Sequence, residues 1–306
     1  MTSKLTPERS NAALVWVTLA LIASSIEPLV VKMGYKSSAS AHQLLVLKLI
    51  FGGLFIAPIY KKLYWIGFSG LKRLSGAVLA FIATYLFIFY SLTTISAVIL
   101  ITVITTTPAF VAIVNQIRGQ DSSDAKFWFG FGLCFVGALL SVNVFTTSDA
   151  RVDGVGIMLA FGSVLTSTLY RTQMDGLTRD FKPITVSGYL FLINFVLALI
   201  CFPFIGSIDA FTWKISAWIG FAGAIANVAF LSALHLVGST RISIITVLQR
   251  PLVILAAAIL LKEPITLGQG IGIFLVLVGV QLAKVKKKDI KEKIELSEDV
   301  VMEVKA

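Results

Sequence analysis

Ten apolar runs divide the chain, at about residues 12–32, 41–60, 75–92, 96–116, 127–145, 154–171, 184–205, 213–237, 242–261 and 267–285. A helix needs roughly 20 residues to cross about 30 Å of hydrocarbon at about 1.5 Å per residue, and most of the runs approach that length. The breaks between them carry turn or charge signals, as in 34–40, 61–73 and 118–126. The pattern predicts an all-α membrane protein with ten transmembrane helices. The first run is long enough to span and shows no clear cleavage site, so it reads as an uncleaved anchor. Beyond the last run, 289–306 mixes charged and apolar residues and reads as a cytoplasmic tail, either solvated or resting on anionic lipid.

Composition agrees. Hydrophobic residues make up 57% of the chain and charged residues 14%, against roughly 45–50% and about 25% in a soluble domain. That excludes an ordinary soluble enzyme, and so much apolar content excludes a disordered chain. Two cysteines, Cys134 and Cys201, and two histidines, His42 and His235, exclude a disulfide scaffold and a Cys- or His-rich metal cluster. The Gly268-Gln-Gly-Ile-Gly run has no strand before it and is no nucleotide loop, and no Walker, HExxH or GxSxG sequence is present. Neither an enzyme nor an ATP-driven pump is expected, and no cofactor or metal.

The net charge of +10 has a topological explanation. With the N-terminus inside, the inner segments hold 19 Lys and Arg and the outer ones 4, counting Arg171 among the inner loop residues. By the positive-inside rule both termini are cytoplasmic. The expected partners are a small-molecule substrate and the lipid bilayer, with a homodimer as the candidate assembly and no nucleic acid.

A shift of 143 residues lays Pro108 on Pro251, Ser96 on Ser239 and Gln120 on Glu263, and after a one-residue difference Gly130 falls on Gly272 and Gly137 on Gly279. The halves, 1–146 and 150–288, hold five runs each. An odd number inverts the second half, and inverted repeats are a transporter architecture.

Gln249-Arg250-Pro251-Leu252, then Leu261-Lys262-Glu263-Pro264-Ile265-Thr266, then Gln269-Gly270-Ile271-Gly272 and Leu277-Val278-Gly279-Val280 resemble the EamA branch of the drug/metabolite transporter superfamily. That family has a proline in helix 9, an acidic residue at its end and a glycine-bearing helix 10. The first half follows the outline more weakly. Lys48 stands where the family usually has arginine, and Gln120 where it usually has an acid. The resemblance implies two inverted five-helix bundles around a central cavity, lined largely by helices 1, 3, 4, 6, 8 and 9. Relatives carry amino acids, other small metabolites, nucleotide sugars and drugs.

Ionisable residues inside apolar runs are the first candidates for function, since a charge at mid-depth costs roughly 2.5–3.5 kcal/mol on insertion scales. Arg250 lies near the middle of helix 9 beside Gln249 and before Pro251. Its planar fork suits a carboxylate or phosphate, and it equally suits a structural pair with a neighbouring helix. Pro251 denies a donor to the carbonyl near Val247 and kinks the helix. Glu27, just before Pro28, either pairs with Lys48 on helix 2 at similar depth or faces the cavity and binds an amine or a proton. Asn227 and Tyr85 are mid-span candidates for the cavity wall. Thr105 and Thr106 supply hydroxyls before Pro108. His235, at the end of helix 8, is a candidate relay or gate or a capped helix end, and Glu263 a cap. Pro28, Pro108 and Pro251 are candidate hinges, and the Gly268/Gly272 spacing and the helix 5 glycines are packing positions.

The expected function is secondary transport of a small polar metabolite, an amino acid or related anion or zwitterion, by alternating access across the cell inner membrane. The alternative is a proton-coupled exporter of lipophilic cations with Glu27 as the acid.

Overall fold

The computed structural model describes residues 7–36, 39–95, 100, 103–119, 124–141, 153–249, 251–252 and 266–283, and these residues form helices and their connections, without strands. The helices are α1 (Pro7–Lys36), α2 (Ala41–Tyr60), α3 (Gly67–Thr94), α4 (Thr107–Ile117), α5 (Ala125–Ser141), α6 (Gly154–Asp180), α7 (Pro183–Cys201), α8 (Ala210–Val237), α9 (Ser239–Ile245) and α10 (Leu267–Leu282). Four segments are long and apolar enough to cross a bilayer: Ala41–Tyr60, Gly67–Thr94, Pro183–Phe204 and Ala210–Val237.

Helix starts follow local chemistry. Ser40 and Gln43 form a reciprocal capping box at α2, and Thr266 and Gln269 form one at α10. Asp153 opens α6 and Asp209 opens α8 by accepting backbone N–H groups. The Thr212 hydroxyl and the amides above it hold the Asp209 carboxyl below its usual range. No side-chain cap opens α3, α7 or α9.

The surface is that of a protein in lipid. Leu54, Leu79, Leu165, Leu169 and Phe274, from the interiors of four helices, are exposed, whereas Ser163, Thr168, Thr172, Ser187 and Ser216 are buried. Exposed aromatics gather where helices end, at Tyr64, Trp65 and Phe68 between α2 and α3 and at Phe204, Phe211 and Trp213 between α7 and α8. Such rings prefer the headgroup level.

The main packing pairs are α1 with α8, α3 with α6, α5 with α10, and α2 with both α7 and α8; α4 touches α6 and α9. Moving five helices along the chain converts α1·α8 into α6·α3 and returns α5·α10, α2·α7 and α4·α9 to themselves. At α5·α10 the backbones meet. A Cβ added to Gly130 would lie 2.6 Å from the Gly279 carbonyl oxygen, and one on Gly137 2.7 Å from that of Gly272.

Two sequence expectations need correction. The run at 154–171 continues as helix to Asp180, because Arg171 and Asp175 find polar partners on neighbouring helices. Arg171 is therefore a helical residue, not a loop cation. Helix 4 is interrupted: Thr105 and Thr106 form a turn, with the Thr106 amide bonded to Val103 O, and helix resumes at Thr107. Pro108, with no N–H to give, sits in the first turn of the new segment. The corresponding stretch of the second half, Thr246–Leu248, tightens to a 3-10 turn ahead of Pro251. Its cause is parallel, since Pro251 cannot donate to Val247.

Candidate functional site

Lys48, on the second turn of α2, is 3% exposed. Its Nζ stands 3.1 Å from the centroid of the Tyr85 ring of α3 and 5.9 Å from that of Phe89. An ammonium over a ring face is attracted by the ring quadrupole, by about 2 kcal/mol or more where water is excluded. The rings form a chain. Tyr85 meets Phe81 at 4.9 Å, and Phe81 meets Tyr170 of α6 at 5.3 Å. Tyr170 Oη accepts a 2.6 Å hydrogen bond from Asn227 Nδ2 of α8. Asn227 is 8% exposed, and its Oδ1 has no hydrogen-bond partner among the described residues.

Arg171 follows Tyr170 and turns to the other side. Its Nε donates to Ser167 Oγ at 3.3 Å and its Nη1 to Ser243 Oγ at 3.2 Å and Thr246 Oγ1 at 3.5 Å. Its guanidinium lies 4.9 Å from the Phe230 ring. The partners named here are neutral hydroxyls and a ring, which hold the fork in place and leave its charge uncompensated by them. Thr246 belongs to the 3-10 turn before Pro251, so Arg171 reaches α9 where that helix is irregular. The arrangement thus offers a buried cation, Lys48, over the Phe81–Tyr85–Tyr170 ring chain, and a half-buried one, Arg171, next in sequence to Tyr170. It suits an anionic or zwitterionic organic solute with an apolar part.

Of the residues singled out from sequence, Lys48 and Tyr85 meet directly, and Asn227 joins them through Tyr170 and Phe81. Gln249 Nε2 donates to Ser24 O of α1 at 2.6 Å, tying the end of the irregular turn to α1. Thr105 is buried in the helix 4 turn, and the Thr106 hydroxyl bonds back to Val103 O at 2.7 Å. Pro108 and Pro251 are buried at their breaks. Exposed His235 donates from Nδ1 to Thr178 O at 2.5 Å. Glu27 and Pro28 lie on α1, but their side chains, like Arg250 and Glu263 altogether, fall outside the described residues. The Asn194 side chain donates to Leu190 O of its own helix.

Arg171, Tyr170 and Ser243 were not singled out from sequence. The signal was the four-residue spacing of Ser167, Arg171, Asp175 and Arg179. A helix ended at Arg171 hides that stripe. An open apolar groove of about 270 Å³ lies elsewhere, between Trp16, Phe55, Phe221 and their neighbours on α1, α2 and α8. Among the described residues its lining has no charged side chain.

Comparison with known proteins identifies the architecture. Residues 11–143 and 154–284 each match the EamA-like transporter family. One solved crystal structure shares the fold at a TM-score of 0.65 and 14% identity, over 90% of this chain and 96% of that one. No curated protein matches. With two matched segments that together span most of its length, the chain belongs to the EamA-like transporter family.

Proposed function

We propose that this transporter carries a small anionic or zwitterionic metabolite, such as an amino acid, by alternating access between two inverted five-helix repeats, 1–146 and 150–288. One observation carries the reading: the Arg171 guanidinium, next to the ring chain that runs from Tyr170 to Tyr85 and Lys48, is held by the neutral hydroxyls of Ser167, Ser243 and Thr246. A negative group on the solute would pair with that guanidinium. Asn227 Oδ1, buried without a partner among the described residues, is an acceptor for an ammonium or amide N–H on the same solute. Tyr85 supplies the apolar wall, while Glu27, Gln249, Arg250, Thr105 and Thr106 complete the site on α1 and at the two broken helices. Pro28, Pro108 and Pro251 act as hinges, Glu263 and His235 as helix-end anchors.

The helix pairs that map onto each other under a five-helix shift support the inverted repeat. Paired interruptions near Pro108 and Pro251 support a midplane site, because transporters of this architecture bind at corresponding broken helices. On an alternating path, the starts capped by Ser40, Asp153, Asp209 and Thr266 share one face. Most Lys and Arg residues then fall at the other, which supports the reading that both termini and the tail 289–306 lie in the cytoplasm, with the protein in the cell inner membrane. A lipophilic cation is disfavoured, because it would enter beside Lys48 and Arg171.

The test is uptake into proteoliposomes of a panel of radiolabelled amino acids and small carboxylates. For the solute that is carried, Arg171→Ala raises the apparent KM by about tenfold to a hundredfold, the loss expected for a hydrogen-bonded charge pair. A KM equal to wild type rejects Arg171 as the anion site. Uptake of a fluorescent lipophilic cation in place of every anion rejects the substrate class.

A further inference from the structure

On α6, Ser167, Arg171, Asp175 and Arg179 follow at four-residue steps and so form one stripe. Ser239, Ser243 and Thr246 form the facing stripe. The part of this ladder around Arg171 belongs to the proposed substrate site. The part nearer the end of α6 has different chemistry. Asp175 Oδ2 accepts from Ser239 Oγ at 2.8 Å and from Arg179 Nη2 at 2.9 Å. Ser239 Oγ accepts in turn from Asn115 Nδ2 at 2.8 Å, and the same amide donates to Thr240 Oγ1 at 2.8 Å. The Ser239 hydroxyl is thereby oriented by one neighbour on each side.

The chain of bonds crosses the molecule. Asn115 lies in the first family-matched segment, and Ser239 and Asp175 lie in the second. The Asp175 side chain is 5% exposed and that of Arg179 52%, so Asp175 is where the ladder passes from interior to surface. Beside it Arg73 of α3 pairs with Asp180 of α6 at 2.5 Å, another bond between the halves. Gly238 joins α8 to α9 immediately before Ser239 with φ of 82°, a conformation that a side chain would resist. The first turn of α9 is thus attached to α8 by an unusual joint, and to α4 and α6 by these hydrogen bonds.

We infer that Asp175 is the gating residue of transport at this end of the bundle, through its bond to Ser239; the inference rests on the transport reading above. While the carboxylate holds Ser239, α4, α6 and α9 are tied together and the ladder is shut between Arg171 and that face. Release of Ser239 lets the start of α9 swing about Gly238 and opens the way to Arg171. Asp175 touches no solute in this role. It is a positioning residue that sets the balance between shut and open forms.

The experiment uses the full chain in detergent, with Cys134 and Cys201 replaced by Ala and a reporter Ser243→Cys facing Arg171. A bulky water-soluble maleimide modifies the reporter slowly while the ladder is shut. Adding Asp175→Asn or Ser239→Ala speeds modification about tenfold, the population change expected when one hydrogen bond to a charged group is lost, and Asp175→Glu restores the slow rate. A second reporter, Ser91→Cys, is buried at the opposite end, where the native hydroxyl donates to Gly156 O. It is not accelerated. An unchanged rate at position 243 overturns the inference, and so does equal acceleration at both positions, which signals general loosening. If Asp175→Asn does not fold, Ser239→Ala, which removes a single oxygen, decides alone. Modification needs no solute. Absence of any carried solute would end the transport reading and leave the labelling result standing, whereas wild-type uptake with unaltered labelling would end the latch alone.

Discussion

Two seams join neighbouring helices in opposite ways. Between α5 and α10 the contact is backbone against backbone. A Cβ on Gly279 would stand 2.6 Å from Gly130 O and 2.7 Å from Cys134 N, and Cys134 Sγ reaches Val276 O at 3.7 Å. Between α6 and α9 with the turn that follows it, the contact is made by Arg171, braced by Ser167 of its own helix, and Asp175 against Ser239, Ser243 and Thr246. The glycine contacts of the first seam have no side-chain rotamers to rearrange. The second consists of hydroxyls that can donate elsewhere and of charges that can change partner. The difference separates a fixed join from a working surface. On the proposed cycle the α5/α10 seam, which unites the last helices of the two family-matched segments, holds while the α6/α9 seam opens and closes.

The largest effect therefore comes from breaking the fixed seam. Gly279→Val places a branched side chain where a single Cβ already meets backbone, so the helices must separate. Overpacking of this kind costs about 3 kcal/mol, and a thermal melt in detergent shows a clearly lowered Tm or no folded protein. Gly132→Ala, on the same α5, sharpens the comparison. A Cβ there meets nothing within 4 Å, and alanine is the better helix former by about 1 kcal/mol. The melt is unchanged or slightly higher. Equal losses for both variants would refute a seam built on close approach.

On the working side, Lys48→Met keeps the apolar stem and removes the charge beside Tyr85. A thermal melt in detergent identifies the folded variant, and uptake is read on that material. Uptake of the anionic solute falls about tenfold, the loss expected for one charge-assisted contact, and Lys48→Arg retains much of it. Wild-type uptake by Lys48→Met would remove Lys48 from the site and leave Arg171 as its cation.

How far the sequence reveals this contrast depends on the kind of interaction. Apolar runs bounded by charges mark the helices, because hydrocarbon tolerates few exceptions. Proline chemistry alone anticipates the breaks before Pro108 and Pro251. The glycines of the fixed seam show themselves in the repeat, as Gly130 with Gly272 and Gly137 with Gly279. The same reliance on apolar runs fails at Arg171. A cation at the end of such a run reads as a loop residue until its partners on α9 are seen to satisfy it. Lys48, Tyr85 and Asn227 stand out individually as polar residues in apolar stretches. Their relation does not, because whether an ammonium lies over a ring depends on the rotation of α2 against α3, which no spacing within either helix encodes.

His235 gives the smallest effect and the finest test of the comparison. As the histidine at the end of α8, it is the obvious candidate sensor for the moving seam. Its geometry is that of a cap. The ring is exposed, and Nδ1 donates to Thr178 O of α6, so the bond is made by the neutral tautomer that carries its proton on Nδ1 and equally by the imidazolium. Protonation adds a charge in water without breaking that bond. The amide of His235→Asn has an N–H near the position of Nδ1, so the variant should transport within about twofold of wild type and melt within about 1 kcal/mol of it, the size of one exposed hydrogen bond. Its uptake should follow the same pH profile between pH 5 and 8. A flattened profile in His235→Asn would make His235 the titrating element of the gate and shift control of the α6/α9 seam from Asp175 towards the α6/α8 contact.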